Sequence, residues 1–191
     1  MPYTYGTPEW DEAYNKQTQE RLASQPKPFI IFLPEWVKEW EKLLQNDAKY
    51  KELALPNWEN PIVIHILKAP QLGIDNDIYV KMDLWHNGEC KSIRYIPPSE
   101  AGAPGNFEIT GTIDRWMAVG RKQLDVVKGM MQGKLKLRGD LPTIVKAVKA
   151  SVRIVETVGE VGGKYEDELS PEEIEQFRGT VNNLLTEFSL T

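Results

Sequence analysis

The chain has little of what catalysis, covalent cross-linking or membrane crossing requires. Among 191 residues there are one cysteine and two histidines. The lone Cys90 has no internal partner, so stability has to come from packing and a reducing compartment is expected. A single cysteine in a strand is ordinarily a small core residue. His65 lies in an apolar strand and His86 beside a turn, and neither belongs to an HExxH arrangement or a cysteine–histidine spacing suited to zinc. No GxSxG elbow, GxxxxGK[ST] loop or GxGxxG turn occurs. Asp83 and Asp140 make a poor carboxylate pair, because one falls in a predicted strand and the other is accounted for as a helix cap. No catalytic residue, metal ligand or cofactor is therefore expected, and the chain is not expected to be an enzyme; a hydrolase acting on an acyl thioester would lack both nucleophile and base. No segment approaches the ~18 consecutive apolar residues of a membrane span. The opening MPYTYGTPEW has no basic patch followed by an apolar run, so a cytoplasmic location is expected.

What is present is enough apolar sequence, 41% of residues, for one domain with a real core. The net charge of -5 conceals a segregation. From Arg115 to Arg153 there are ten basic and two acidic residues, and the flanks carry 13 basic and 26 acidic. Such a basic middle sets up a local positive field that suits carboxylates, phosphates or anionic head groups. Nucleic acid is not an expected partner, since the total is acidic and no aromatics interleave on the basic strand face.

In chain order, Thr7 and Pro8 open a helix to about Leu22, stopped by Pro26 and Pro28. Pro34 opens a second, with Trp36, Trp40, Leu43, Leu44 and Leu53 on its buried side. From Pro61 the period becomes two: Ile62, Ile64 and Ile66 share one strand face, and Ile78, Val80, Met82 and Leu84 share the next. Asn87-Gly88 predicts a tight hairpin with positive φ at both residues. The run from Pro97 to Asn106 is expected to be a flexible connection. A short strand from Phe107 leads to Thr112 as N-cap of a helix, and Asp125 starts another.

The stretch MMQGKLKLRGD, Met130 to Asp140, holds a helix end, an alternating strand and a second helix start. Leu135 and Leu137 alternate with Lys134, Lys136 and Arg138, giving one apolar and one basic face. Asp140 and Pro142 fit the N-cap and first turn of a helix running to about Val158. Its charged residues fall on one narrow stripe, so it has more apolar surface to bury than one contact needs and is either sandwiched or lines a cavity. Gly159 to Leu169 is expected to be a mobile linker. Ser170, Pro171 and Glu173 then form a capping box for a last helix with Ile174, Phe177, Val181, Leu184, Leu185 and Phe188 at helical spacing.

The order DIYVKMDLWHNGEC, FEITGTIDRW, MMQGKLKLRGDLPTIVKAVKA resembles the sterol carrier protein type 2 family of nonspecific lipid-transfer domains, over roughly Phe29 to Val158. The GKLKL-x-GD run is the most specific part, and PEWVKEW and PNWEN resemble the entry segments of its stand-alone prokaryotic members. The resemblance implies an α/β (α+β) fold: a five-stranded, mostly antiparallel sheet covered on one face by helices, with an apolar tunnel between the layers. The matching positions for lining it are Trp116, Met117, Val127, Met130, Met131, Leu135, Leu137, Val145, Val148 and Val152. Flexible methionines and small valines around excess apolar surface suit a cavity for varied chains.

The expected organisation is residues 1–28 as a helical extension, 29–158 as the lipid-binding domain, and 159–191 as linker and amphipathic helix. The expected function is non-catalytic binding and transfer of fatty acid, fatty acyl-CoA or a similar lipid. The alternative is an accessory or interaction subunit that presents acyl substrates to a lipid-metabolising enzyme. Expected partners are the lipid or acyl-chain ligand, a second copy of the chain in a homodimer, and a membrane touched transiently. The last helix is expected to act as a lid over the tunnel mouth or as a dimer contact.

Overall fold

A computed structural model describes all 191 residues, Met1–Thr191. Nine helices and five strands follow in the order α1 Pro8–Ser24, α2 Pro34–Gln45, α3 Ala48–Leu53, β1 Ile62–Ile66, β2 Ile78–Trp85, β3 Glu89–Tyr95, α4 Pro98–Ala101, β4 Phe107–Gly111, α5 Ile113–Gly120, α6 Val126–Met131, β5 Lys136–Arg138, α7 Leu141–Lys146, α8 Val148–Val161 and α9 Pro171–Glu187. The strands form one sheet in the order β3-β2-β1-β4-β5. Only β1 and β4 run parallel. The fold is thus the expected five-stranded, mostly antiparallel sheet with helices over one face.

Register makes that face apolar. Ile62 lies opposite both Met82 and Phe107, and Ile64 opposite both Val80 and Ile109, so alternate positions of three strands point to the helices. The intervening residues, His65, Tyr79, Lys81, Glu108 and Thr110, pair on the other face. The hairpin from β2 to β3 turns through Asn87 at φ 56° and Gly88 at φ 72°, the two positive values the dipeptide predicts.

Helix starts follow the chemistry of their caps. Thr7, Asp47, Thr112, Asp125, Asp140 and Ser170 each accept a backbone N–H from the first turn of the helix that follows, satisfying donors that have no partner inside the helix. Asp47 also breaks the expected long second helix into α2 and α3. Its carboxylate takes the Tyr50 N–H at 2.8 Å and the Arg153 guanidinium from α8, so a buried ion pair ties α3 to α8.

Three expectations about the backbone are corrected. The predicted helix from Leu141 to Val158 is two helices, because the chain tightens at Ala147 (φ -94°, ψ 15°), whose N–H bonds back three residues to Ile144. The glycine-rich segment after it is built into the fold. Helix α8 continues to Val161, Gly162 and Gly163 adopt φ 72° and 118°, and Lys164 pairs with Ile30 in a parallel bridge. A Cβ on Gly163 would sit 2.7 Å from the Phe29 carbonyl, so Gly163 serves close approach, and Gly162 supplies the positive φ that ends α8. The run from Pro97 to Asn106 holds α4, and the Asn106 amide donates to the Glu100 carbonyl at 2.8 Å.

The two terminal helices share the main core. Trp10 and Tyr14 of α1 stack with centroids 4.8 Å apart, Phe188 meets both edge-on, and Tyr3 stacks on Phe188. The Trp10 indole N–H donates to the Phe188 carbonyl at 2.8 Å. Phe177, Leu184, Leu185 and Phe188 are all buried. The apolar side of α9 therefore packs inward, and Phe188 at its end joins it to α1. Phe188 is fully buried, so Phe188→Ala should cost about 3–5 kcal/mol and lower the single thermal transition followed by circular dichroism. A loss within ~0.5 kcal/mol, the range for surface changes, would mean that the terminal helices are not part of the cooperative core.

Candidate functional site

Between sheet and helices lies an apolar cavity of about 90 Å³. Its floor is Ile62 and Ile64 of β1, Met82 of β2 and Ile109 of β4, and its roof is Ser151, Ile154, Val155 and Val158 of α8. Trp36 and Trp40 of α2 wall one side, and Trp116, Val119 and Gly120 of α5 with Val126 of α6 wall the other. Ile31, Phe32 and Tyr165 complete the lining.

The lining offers few free polar groups. Each of its three indoles directs its N–H outside the cavity: Trp36 to the Gly162 carbonyl at 2.8 Å, Trp40 to Thr157 Oγ1 at 2.9 Å, and Trp116 to the His65 carbonyl at 3.1 Å. Apart from the Ser151 and Tyr165 hydroxyls, what remains in the lining is carbon, which suits a nonpolar guest and repels isolated water. Phe32 holds a left-handed backbone at φ 70°, a costly conformation for an aromatic residue. It is fastened by the Tyr95 hydroxyl, which donates to the Phe32 carbonyl. At Gly120 a Cβ would collide with the Tyr165 hydroxyl, so only glycine lets Tyr165 approach the wall.

A second, outer pocket of about 150 Å³ adjoins the first and shares Val119, Val126, Ser151 and Val155 as a common wall. Leu124, Val127, Val148 and Val152 continue its apolar surface, and Lys122 and Asp125 bring charge to it.

The residues proposed from sequence are distributed over several environments. Trp116 lines the inner cavity; Val127, Val148 and Val152 line the outer pocket. Met117, Met130 and Leu135 are buried but line neither space. Leu137 is half-buried in β5. Met131 and Val145 face solvent, at 70% and 43% exposure. The lining residues absent from that proposal are chiefly Trp36, Trp40, Ile62, Ile64 and the α8 stripe Ile154, Val155 and Val158. Their periodicity shows that they are buried, but nothing in it says which helix lies over which strand.

Elsewhere, no group of three His, Cys, Asp or Glu side chains is placed to hold a metal ion. His65, on the face away from the cavity, is fixed between Asp77 at 2.8 Å and Thr110 at 2.9 Å and stacks on Tyr79. Burial pushes the Cys90 thiol up to about 12, far from thiolate chemistry at neutral pH. No helix is long and apolar enough to cross a membrane.

A mostly antiparallel sheet with one helix-covered face, enclosing apolar space between the layers, defines an α+β fold built around a nonpolar interior site. The chain belongs to the SCP-2 sterol transfer family, whose model matches residues 40–150. The crystal structure of a sterol carrier protein 2 is similar to it, with a TM-score of 0.58 at 24% identity over 66% of this chain and 95% of that one. The solution structure of a conserved hypothetical protein from Thermus thermophilus is similar as well, with a TM-score of 0.61 at 23% identity over 70% of this chain and 91% of that one. At that identity the two structures speak for the fold. No curated protein matches the chain by sequence.

Next to the lining residue Tyr165 in sequence is Glu166, buried with neither carboxylate oxygen hydrogen-bonded to another residue. Burial pushes its carboxyl up to about 8 from an ordinary 4.5, because the charged form loses its hydration. Between those two values the unfolded chain gives up this proton and the folded chain keeps it, so stability falls as pH rises through the window. Glu166→Gln keeps the shape and cannot ionise. It should be more stable than the wild type by about 2–4 kcal/mol at pH 8, with the difference gone near pH 4.5, as read from urea unfolding at the two pH values. Equal stabilities at pH 8 would mean that the carboxyl is not held neutral.

Proposed function

We propose that this protein binds and transfers a lipid with a flexible acyl chain, such as a fatty acid or fatty acyl-CoA, without chemistry of its own. The observation that carries this reading is the inner lining, in which every indole N–H is already used and Ser151 is the one aliphatic hydroxyl.

Size decides between guests. A dry cavity of about 150 Å³ is enough for benzene, and the inner space alone is about 90 Å³. A rigid sterol nucleus needs its volume in one place. A flexible chain can instead run through the inner cavity into the outer pocket, a tunnel that forms when Val126 and Val155 of the common wall move apart. The polar end then lies outward, where Ser151, Lys122 and Asp125 stand. This gives the Trp36, Trp40 and Trp116 faces to the hydrocarbon and leaves the head group in water.

Val155→Phe places bulk at the shared wall. It should weaken binding of a fluorescent fatty acid about tenfold, a loss of about 1.4 kcal/mol, while leaving the thermal midpoint near that of the wild type. Native mass spectrometry of the purified protein should show an added mass of a fatty acid or phospholipid on a monomer or dimer. A site that stays empty after incubation with lipids, or an unchanged affinity in the stable Val155→Phe variant, would overturn the reading. A stable complex with a second protein and an empty site would instead favour the role of an accessory subunit.

A further inference from the structure

Six large hydrophobic side chains are conspicuously exposed, and four of them are clustered: Met131 at 70%, Val145 at 43%, Val148 at 37% and Val152 at 46%. Val148 and Val152 line the outer pocket. Met131 lies one turn beyond Val127, another lining residue, on the same side of α6, and Val145 lies in the turn before Val148. The amphipathic helix α9 has little apolar face left to offer, since Phe177, Val181, Leu184 and Leu185 are buried.

The same region is rich in unpaired positive charge. Lys122 lines the outer pocket, Lys128 and Lys134 flank Met131 in sequence, and Lys146 and Lys149 flank Val148; all five are exposed. None has a carboxylate within 4 Å, and neither has Arg115, whereas three other arginines of the same stretch are engaged: Arg121 with Asp167, Arg138 with Glu108, and Arg153 with Asp47 and Glu160. The nearby carboxylates are also committed. Asp125 and Asp140 cap helices, and Glu156 is held by Lys49 and Arg153.

We propose that this face, aliphatic at its centre and ringed by lysines, docks the mouth of the outer pocket on an anionic lipid bilayer. Charge complementarity carries the assignment: five unpaired lysines gather on one side of a molecule whose net charge is -5, so an anionic surface attracts this side and repels the rest. The residue types favour a bilayer over other polyanions or a protein. Methionine and valine enter the acyl boundary while lysine ammonium groups stay among the head groups. The face lacks the tryptophan and tyrosine that anchor protein interfaces and the aromatics on which nucleic-acid bases stack. Docked this way, the outer pocket opens on the bilayer, so a chain can pass between protein and membrane without crossing bulk water. That last step rests on the proposed lipid carriage; the docking itself does not.

The test is flotation of the wild-type protein with vesicles of phosphatidylcholine alone and with about one-third phosphatidylglycerol, a fraction chosen to give a strong anionic surface potential. Binding should be at least about tenfold tighter to the anionic vesicles and should fall at high salt, as screening requires. Lys128→Glu with Lys146→Glu, and separately Met131→Glu with Val145→Glu, should each lower it by about that factor. These exposed residues line neither cavity, so the thermal midpoint and vesicle-free binding of a fluorescent fatty acid should stay as in the wild type. Absence of binding, equal binding to both vesicles, or variants that float like the wild type would overturn the docking face. Loss of fatty-acid binding with intact flotation would overturn the carrier reading and leave the docking face standing.

Discussion

The architecture depends on how α8 is held above the sheet. Its inner stripe, Ile154, Val155 and Val158, consists of small or medium aliphatic side chains facing the aliphatic floor of Ile62, Ile64 and Ile109. Left to itself such a pair of surfaces would close, because removing apolar area from water is favourable wherever the layers can approach. Large indoles stand at the perimeter and polar contacts fix the helix from outside. Trp40 reaches Thr157, Trp36 reaches Gly162 past the helix end, and Arg153 joins Asp47 on α3. Bulky edges around a small-residue centre leave space, and the outer hydrogen bonds keep it from collapsing.

That scheme explains why two polar features are tolerated near an apolar interior. The Arg153–Asp47 pair lies beneath little exposed surface, and burial of this kind is a weak source of net stability but strongly penalises any arrangement that separates the charges. Here it sets the register of α8 against α3. The left-handed Phe32 similarly has a cost, offset by the Tyr95 hydroxyl and by the Lys164 strand-like pairing on either side of Ile30. Both are constraints on position rather than additions to the hydrophobic core.

Much of the fold was legible from sequence because it is encoded locally. Caps at Thr7, Thr112, Asp125, Asp140 and Ser170, the positive-φ turn at Asn87-Gly88 and the alternation in β1 and β2 each need only a few adjacent residues. The misread parts depend on contacts from far along the chain. Gly162 and Gly163 have the composition of a loose linker, yet the Gly162 carbonyl receives the Trp36 indole and the small size of Gly163 serves the approach of Phe29 and Trp36, more than 120 positions earlier. The tightening at Ala147 leaves no mark in the apolar periodicity. For the site the limit is the same. Val148, Val152, Val127 and Trp116 were found through the family resemblance, but the Trp36–Trp40 wall required knowing that α2 packs beside α8.

The segment from Met130 to Asp140 shows how one alternating motif divides between two kinds of work. Leu135 is almost completely buried, packed where a Cβ on Gly111 or Gly129 would press against it, and the backbone N–H groups of Lys134 and Leu135 share the Gly129 carbonyl. This half is architecture. Met131, only four residues away, is among the most exposed hydrophobic side chains in the molecule, and its lysine neighbours carry no ion pair. An apolar residue placed in water beside unpaired charge gains nothing for the fold, whose stability comes from burial and from satisfied polar groups. The same short stretch therefore closes the core on one side and leaves an uncovered apolar and cationic surface on the other, beside the entrance to the interior space.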